Sequence, residues 1–304
     1  MKPLEEKVLG LIDERGPLTG QELLESIGGD GLILWRTCRL SGSLSIRRIG
    51  TRYLRLDRRL KDYARLSPSI LREFLTYSVV GLASDPDPTR VKAEGILSKI
   101  EQVSRAKSEL AYHIVSSLGS RLENELPIQN QVCFILAGDI VYNMAHDVPR
   151  PERSTGKLVR GSDMDLVVIV GNRVPEALVN RLDEAIFQEK YRLLITPHLR
   201  EEIDYVVKNL DRFREQVRFD SFKHMVACKI LHEGTLLYGS DEIFQKAKSL
   251  LREHGVVREL NTMEAKALEF RAGAEEVLLH EDIERIRDEH MYLFYPTEES
   301  EEFE

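Results

Sequence analysis

Hydrophobic and polar positions divide the chain into stretches of different periodicity. Residues 4–16 place apolar side chains at helical spacing, and residues 19–28 and 30–40 do the same over shorter lengths. Residues 43–57 instead alternate apolar and basic side chains around Gly50, which is typical of a β-hairpin. The pattern therefore predicts three short helices followed by a hairpin.

The next stretch is helical in pattern over most of its length. The pair Ser67-Pro68 makes a good helix start, and the proline-rich segment 84–90 interrupts the pattern before a long amphipathic run begins. We predict helices over 67–82 and 89–123. Together they would form a helical spacer that packs onto the following domain.

From residue 132 onward, buried strands and helices alternate. Apolar runs at 132–138 and 163–170 have the length of buried strands, and residues 175–191 have helical spacing. Residues 192–199 and 202–208 are further strand candidates. Later helices are predicted at 220–234, 241–255 and 261–294, with a short strand or turn near 235–239. This alternation predicts an α/β or α+β domain followed by a helical extension, and we adopt α+β with a mixed sheet.

Composition narrows the class of protein. The 304 residues suffice for about two domains. There is no apolar run of about 18 residues, so we expect no membrane helix. The acidic residues near the N-terminus argue against a secretion signal. Cys38, Cys133 and Cys228 are far apart and lack metal-like spacing, which indicates a reducing compartment. We therefore expect a cytoplasmic protein without membrane attachment; the two long helices could support an oligomer.

Charge is distributed unevenly near the N-terminus. Residues 1–30 carry three basic and seven acidic side chains, whereas residues 31–61 carry eight arginines and Lys61 against Asp57 alone. Three short helices and a basic hairpin resemble a winged helix domain over residues 1–62. The resemblance implies that the third helix enters a major groove and that wing arginines meet phosphates. The expected nucleic-acid contacts are Arg36, Arg39, Arg47, Arg48, Arg52 and Arg55. The alternative is a winged helix used for protein contact, with a solvated basic hairpin.

Two carboxylates stand at the entrance of a predicted buried strand. Asp163 and Asp165 are two residues apart, so they project to the same side of the strand and repel each other. A hard cation such as Mg²⁺ or Mn²⁺ between them would relieve that repulsion. Asp204 begins another predicted strand and could complete the cluster, and three carboxylates can hold two metal ions. The alternatives are a solvated strand entrance, or Glu201 and Glu202 in place of Asp204.

The sequence around these carboxylates resembles a known superfamily. Gly138 after an apolar strand, then "GSDMDLVVIV" at 161–170, resembles the DNA polymerase beta-like nucleotidyltransferases over about residues 130–245. The likeness is to small members related to kanamycin nucleotidyltransferase and antitoxin-type enzymes. It implies that Asp163 and Asp165 bind Mg²⁺ and a nucleoside triphosphate, and that Asp204 helps the second metal and acts as base. It also implies that Gly138 lets the backbone approach a phosphate.

The chain departs from the family pattern in two ways. The family's serine after the glycine is Asp139 here, and a carboxylate repels phosphate instead of donating to it. The gap between Gly138 and Asp163 is also longer than usual. The inserted segment 146–162 reads as a mobile loop whose cations and hydroxyls could take over triphosphate binding, or as a disordered insertion. The residues expected to bind the nucleotide are Gly138, Asp139, Ser162, Arg153, Lys157 and Arg160.

These observations lead to two main hypotheses. The first is a Mg²⁺-dependent enzyme that moves a nucleoside monophosphate onto a hydroxyl of a nucleic acid, such as an RNA end, or of a protein. The second is a DNA-binding regulator whose nucleotidyltransferase-like domain only senses nucleotide; modification of a small molecule is a weaker third reading. The predicted domains are a winged helix at 1–62, a helical spacer at 63–125, a nucleotidyltransferase domain at 126–250, and C-terminal helices with an acidic tail at 251–304.

Overall fold

The computed structural model describes residues 2–152 and 155–296. The elements of the first part of the chain are α1 Lys2–Arg15, β1 Leu18–Thr19, α2 Gly20–Ile27, α3 Gly31–Leu40, β2 Leu44–Arg48, β3 Tyr53–Leu56, β4 Ala64–Ser67, α4 Ile70–Thr76, β5 Ser78–Leu82 and α5 Pro86–Leu122. The second part contains α6 Ile128–Gln131, β6 Val132–Ala137, a 3₁₀ turn Gly138–Ile140, β7 Pro149–Pro151, β8 Leu158–Arg160, β9 Met164–Val170, α7 Glu176–Ile195, β10 Ile203–Asn209, α8 Leu210–Gln216, α9 Phe222–Glu233, β11 Thr235–Gly239, α10 Asp241–Glu253, α11 Val256–His280, α12 Ile283–Arg285, a π-helical turn Ile286–His290 and α13 Met291–Phe294. The protein is of mixed α+β class.

The chain folds into two compact units. The first contains residues 2–99 and 263–296, and the second contains residues 100–152 and 155–262. The predicted acidic tail after residue 296 lies outside the described residues. No helix in the described ranges combines the length and apolar character needed to cross a membrane.

A three-stranded antiparallel sheet in the order β1-β5-β2 organises the first unit. Helices α1 to α4 pack around it, and the end of α11 and the helices after it complete the same core. Val79 and Val80 on the central strand are fully buried, as β-branched residues between two neighbouring strands usually are. Helix α2 begins with a capping box, in which Thr19 and Glu22 satisfy each other's backbone N–H groups.

Two predictions for this unit are wrong. Residues 43–57 do not form one hairpin, because β2 pairs with β5 whereas β3 pairs with β4 in a separate two-stranded sheet. The alternating pattern identified both strands but carried no information on their partners. Residues 78–82 are strand β5, not the end of a helix. The helix prediction failed there because an apolar run of this length fits either element.

A four-stranded mixed sheet, in the order β10-β9-β6-β11, organises the second unit. Strands β9 and β10 are parallel, whereas β6 runs antiparallel to both β9 and β11. One face of the sheet packs against α5 and α7 in a core that includes Phe134, Leu136, Leu166 and Val168. The predicted strands at 132–138, 163–170 and 202–208 are confirmed.

The strand predicted at 192–199 is wrong. Helix α7 extends through Ile195, because Leu193 and Leu194 continue the buried side of the helix that Leu182 and Ile186 begin. The described residues between β6 and β9 also contain strands that the sequence did not predict. They form the antiparallel pair β7-β8, with Arg150 opposite Val159.

Candidate metal centre

Two adjacent parallel strands bring three carboxylates together. Asp165 is in register with Asp204 across β9 and β10, and Asp163 directly precedes β9. One carboxylate oxygen from each of the three lies within 4.8 Å of the others. Asp204 is exposed on its strand, while Asp163 and Asp165 are half-buried. Because strands in parallel register begin at the same edge of the sheet, acids at their starts converge there.

Gly138 closes the opposite side of this cluster. The antiparallel pairing of β6 with β9 sets Ala137 opposite Asp165, so the chain turns at Gly138 beside that carboxylate. Gly138 has a φ of +72°, and a Cβ there would lie 2.0 Å from Oδ2 of Asp165. Glycine at 138 therefore leaves room for the Asp165 carboxylate, and the approach of this backbone to a phosphate stays a prediction.

Asp139 is a further carboxylate beside the three. Its charge raises the pKa of both Asp163 and Asp165. The buried Ser162 hydroxyl donates to Oδ2 of Asp139 at 3.0 Å and accepts the His146 backbone N–H at 3.2 Å. The Ser162 hydroxyl thus holds the Asp139 carboxylate in place. This hydrogen bond joins the turn before β9 to the turn after β6.

Glu233 is an acid that sequence analysis did not single out. It ends α9, just before β11, and its side chain is 3% exposed. Its carboxylate accepts the Gly138 backbone N–H at 3.3 Å and the Tyr142 hydroxyl at 2.8 Å, and it pairs with Lys229 at 2.5 Å. A glutamate directly before the Gly234 break was the one available signal. Only the pairing of β11 with β6 places it here.

Burial and mutual repulsion raise the pKa values of the two central carboxyls. Burial is the largest cause at both Asp163 and Asp165. Asp163, Asp139, Asp204 and Glu233 raise the pKa of Asp165 further, so that it lies well above its ordinary range. Arg150 partly offsets the rise at Asp163. The protein therefore gathers negative charge at one point against its electrostatic cost, which is the arrangement that a bound cation would stabilise.

Arg150 links the β7-β8 hairpin to the carboxylates. Its Nη2 lies 2.9 Å from Oε2 of Glu202 and 3.7 Å from Oδ1 of Asp163. Its Nε donates to the Gly161 carbonyl at 2.8 Å. Arg150 is not among the residues expected to bind the nucleotide, yet its side chain lies at the edge of the cluster.

The other cations predicted in this segment lie elsewhere. Lys157 and Arg160 are exposed on the hairpin. Arg160 lies near Glu201, and its positive charge counteracts the rise that burial causes in the pKa of that carboxyl. Lys107 also pairs with Glu201, so this glutamate is engaged apart from the cluster. Arg153 falls outside the described residues.

The arginines of the first unit divide into buried and exposed sets. Arg36 is buried on α3, and its terminal nitrogens donate to the carbonyls of Leu279 and Glu281 at 2.9 Å each. Trp35 beside it packs on Phe294 with 5.6 Å between ring centroids. Most of α3 is covered in this way, so a groove contact by Arg36 does not fit the structure.

The other arginines that were predicted to contact nucleic acid differ in solvent exposure. Arg39, Arg47 and Arg48 are exposed, and Arg55 is half-buried. Arg52 makes two hydrogen bonds of 2.6 Å to the Glu73 carboxylate. Of the arginines predicted to contact a nucleic acid, three therefore have exposed side chains, while Arg52 is already paired.

No protein-family model matches the sequence, and no curated protein matches it.

Proposed function

We propose that the second unit is a Mg²⁺- or Mn²⁺-dependent nucleotidyltransferase, which moves a nucleoside monophosphate from a nucleoside triphosphate onto a hydroxyl. The observation that carries the proposal is the convergence of Asp163, Asp165 and Asp204 within 4.8 Å on two parallel strands. The "GSDMDLVVIV" pattern that leads into β9 supports the same reaction class.

The donor set fits a hard divalent cation. It consists of carboxylate oxygens alone, without histidine or cysteine among the three residues. Oxygens around one Mg²⁺ at about 2.1 Å stand about 3 to 4 Å from each other, and the three carboxylate oxygens here lie within 4.8 Å of one another. Asp163 and Asp165 would hold the cation next to the triphosphate, and Asp204 would share a second one. When bound, the two ions stabilise the attacking and leaving oxygens of the displacement.

The chain's own residues have separate roles in the step. The acceptor oxygen forms a bond to the α-phosphorus while the bond to the bridging oxygen breaks, so pyrophosphate leaves with that electron pair. We assign Asp204 to accept the hydroxyl proton, because it is the exposed member of the three. Gly138 keeps the turn after β6 clear of the Asp165 carboxylate.

Arg150 is a basic residue at the edge of the carboxylate cluster. It balances part of the charge of Asp163 and Glu202 when the site holds no cation. In the proposed reaction, its guanidinium would turn toward the phosphates, since a planar fork of donors suits phosphate oxygens. Glu233 holds the Gly138 turn through its accepted hydrogen bonds and acts as a positioning residue.

We specify the acceptor only by its chemical class, which is a hydroxyl of a nucleic acid or of a protein. The sheet order β1-β5-β2 with α1 to α3 supports a winged-helix arrangement in which β5 supplies the strand that β3 was expected to supply. The exposed Arg39, Arg47 and Arg48 favour a nucleic-acid acceptor. The covered α3 favours contact through the wing over readout in a major groove.

Label transfer from α-labelled nucleoside triphosphates tests the proposal. The protein is incubated with Mg²⁺ and each of the four triphosphates, and with total RNA, DNA fragments or host lysate as acceptor. We expect label on one acceptor class, with a loss of at least about 10³-fold in Asp163→Asn/Asp165→Asn, in line with a step that depends on metal-bound charge. Nucleotide binding without any transfer would instead favour the nucleotide-sensing regulator.

A further inference from the structure

A cavity lies in the first unit, and none of its lining residues belongs to the carboxylate cluster. Its volume is about 290 Å³, and α3, β2, α4 and α11 contribute to its lining. Trp35, Ile46 and Phe74 form an apolar part of the wall, and Arg39, Arg48 and Arg52 form a basic part. An apolar wall with a few converging charged groups is the usual composition of a small-molecule site.

The basic side of this cavity holds more positive than negative charge. Glu73 and Glu275 also line it, and each is already paired with Arg52 and with Arg271 at distances between 2.6 and 3.2 Å. Arg271 is buried behind these acids. Arg52 and Arg271, the inner arginines, therefore balance the charge of the two glutamates. Arg39 and Arg48, the outer arginines, add further positive charge.

The outer arginines are the ones available to a ligand. Arg39 reaches Glu275 only at 3.4 Å, and its side chain is 41% exposed. Arg48 is exposed at the end of β2. Counting Arg271, four arginines surround two glutamates, so an anion entering the cavity would meet uncompensated positive charge.

The arrangement of these cations favours phosphate over carboxylate. A single arginine fork satisfies a planar carboxylate, whereas the tetrahedral dianion of a phosphate ester accepts hydrogen bonds from several directions. Arg39 comes from α3, Arg48 from β2 and Arg52 from the loop after it, so their guanidinium groups approach from different elements. The volume lies at the lower end of ligand sites, which suits one nucleotide and excludes a dinucleotide.

We propose that this cavity binds a nucleoside monophosphate, with the phosphate between Arg39 and Arg48 and the nucleoside against the wall that contains Trp35. The assignment is independent of nucleotidyl transfer in the second unit. It gives the first unit a ligand of its own and makes Arg39 and Arg48 its specificity-determining residues.

Trp35 provides the test, because it is the only tryptophan in the chain. The full-length protein in EDTA is titrated with the four nucleoside monophosphates, and fluorescence is excited where tyrosine does not absorb. EDTA removes divalent cations, and Asp163→Asn/Asp165→Asn serves as a background in which the carboxylate cluster is altered. We expect a saturable change with at least one monophosphate, in both backgrounds, and none with the corresponding nucleoside.

Two exposed arginines on one strand give a matched pair of variants. Arg48 lines the cavity and Arg47 does not, so Arg48→Gln should weaken binding at least about tenfold, whereas Arg47→Gln should leave it within about twofold. Arg39→Gln should behave as Arg48→Gln does. All three substitutions are at exposed positions, and circular dichroism of each variant checks that the fold is kept.

Several results would overturn the proposal. One is the absence of a saturable change with any of the four monophosphates. Another is equal binding of the nucleoside, which would mean that the phosphate is not recognised. Equal weakening by Arg47→Gln and Arg48→Gln, or a response to oligonucleotides alone, would show a general basic surface for nucleic acid instead of a cavity for a mononucleotide. None of these results bears on label transfer by the second unit.

Discussion

The carboxylate of Asp165 occupies the space that a side chain at Gly138 would need. A Cβ on Gly138 would stand 2.0 Å from Oδ2 of Asp165, and the backbone there has a φ of +72°. Strands β6 and β9 pair next to this point. Residue 138 must therefore be glycine, because a side chain there would clash with the Asp165 carboxylate of the cluster. Glu233 secures the same turn from the far side through the Gly138 N–H.

Gly138→Ala should weaken divalent-cation binding at least about tenfold and lower the free energy of unfolding by about 2 kcal/mol, since a left-handed backbone and a steric clash add together. Titration calorimetry and chemical denaturation measure the two effects. Gly156→Ala is the matched control, because Gly156 has a φ of +67° and open space around its Cβ. It should show the backbone cost alone, with cation affinity unchanged; equal effects of both variants would contradict the steric account.

Asp165→Asn should stabilise the protein in EDTA and abolish its stabilisation by Mg²⁺. The pKa of Asp165 is raised in the folded state, so the folded protein keeps a proton that the unfolded chain has lost. Stability in EDTA therefore falls as pH rises from about 4, the pKa of an unfolded aspartate, through the higher folded value. Melting temperatures across this range, with and without Mg²⁺, give the slopes. A wild-type slope that the substitution leaves unchanged would contradict the prediction.

Lys208→Met should raise the free energy of unfolding at pH 7 by about 1 to 3 kcal/mol, allowing for lost contacts. Burial lowers the pKa of Lys208 to about 8, against about 10.4 for an unfolded lysine. Wild-type stability should therefore carry the full cost of the buried charge below pH 8 and rise between about 8 and 10. Denaturation series at several pH values measure this rise, which Lys208→Met should remove. The exposed Lys246→Met is the control and should change neither the slope nor the stability at neutral pH.

Glu233→Gln should cost about 2 kcal/mol of stability, because it leaves the partly buried Lys229 without the carboxylate 2.5 Å away. Adding Lys229→Met should recover much of that loss, since a neutral pair no longer holds an unbalanced charge. A double-mutant cycle by chemical denaturation measures the coupling between the two residues. Strictly additive effects would mean that the pair contributes nothing as a pair.

The three aspartates of the cluster were accessible from the sequence, for a simple reason. Each belongs to a short apolar run that predicts a buried strand, and acids at strand entrances converge when the strands share a sheet edge. The position of Asp204 therefore followed from strand prediction alone. The close packing of Gly138 against the Asp165 carboxylate was not predicted, because it depends on the pairing of β6 with β9.

Glu233 and Arg150 could not be placed from the sequence. Glu233 lies 95 residues from Gly138 along the chain, and its contact depends on how β11 pairs with β6. Arg150 depends on a short hairpin with no strong turn signal. In the first unit, the pattern located β2 and β3 but not their partners, because alternation specifies the faces of a strand and leaves its neighbours open.

The same limit explains the arginines. A run of basic residues near a hairpin predicts an exposed basic surface. Arg36 and Arg52, however, make hydrogen bonds within the first unit. Those contacts involve α11 and α4, which lie far along the chain or in a different element. Charge density in a sequence therefore overstated the number of arginines that a partner could reach.

Manganese binding, followed by electron paramagnetic resonance in the presence of a non-hydrolysable nucleoside triphosphate, tests the central claim most directly. The wild-type protein should bind Mn²⁺, and Asp165→Asn and Asp204→Asn should each weaken binding at least about tenfold. Asp183→Asn, an exposed aspartate on α7, should bind as the wild type does. Absence of Mn²⁺ binding in the wild type, or binding that persists unchanged in both cluster variants, would contradict the assignment of Asp163, Asp165 and Asp204 as a metal centre.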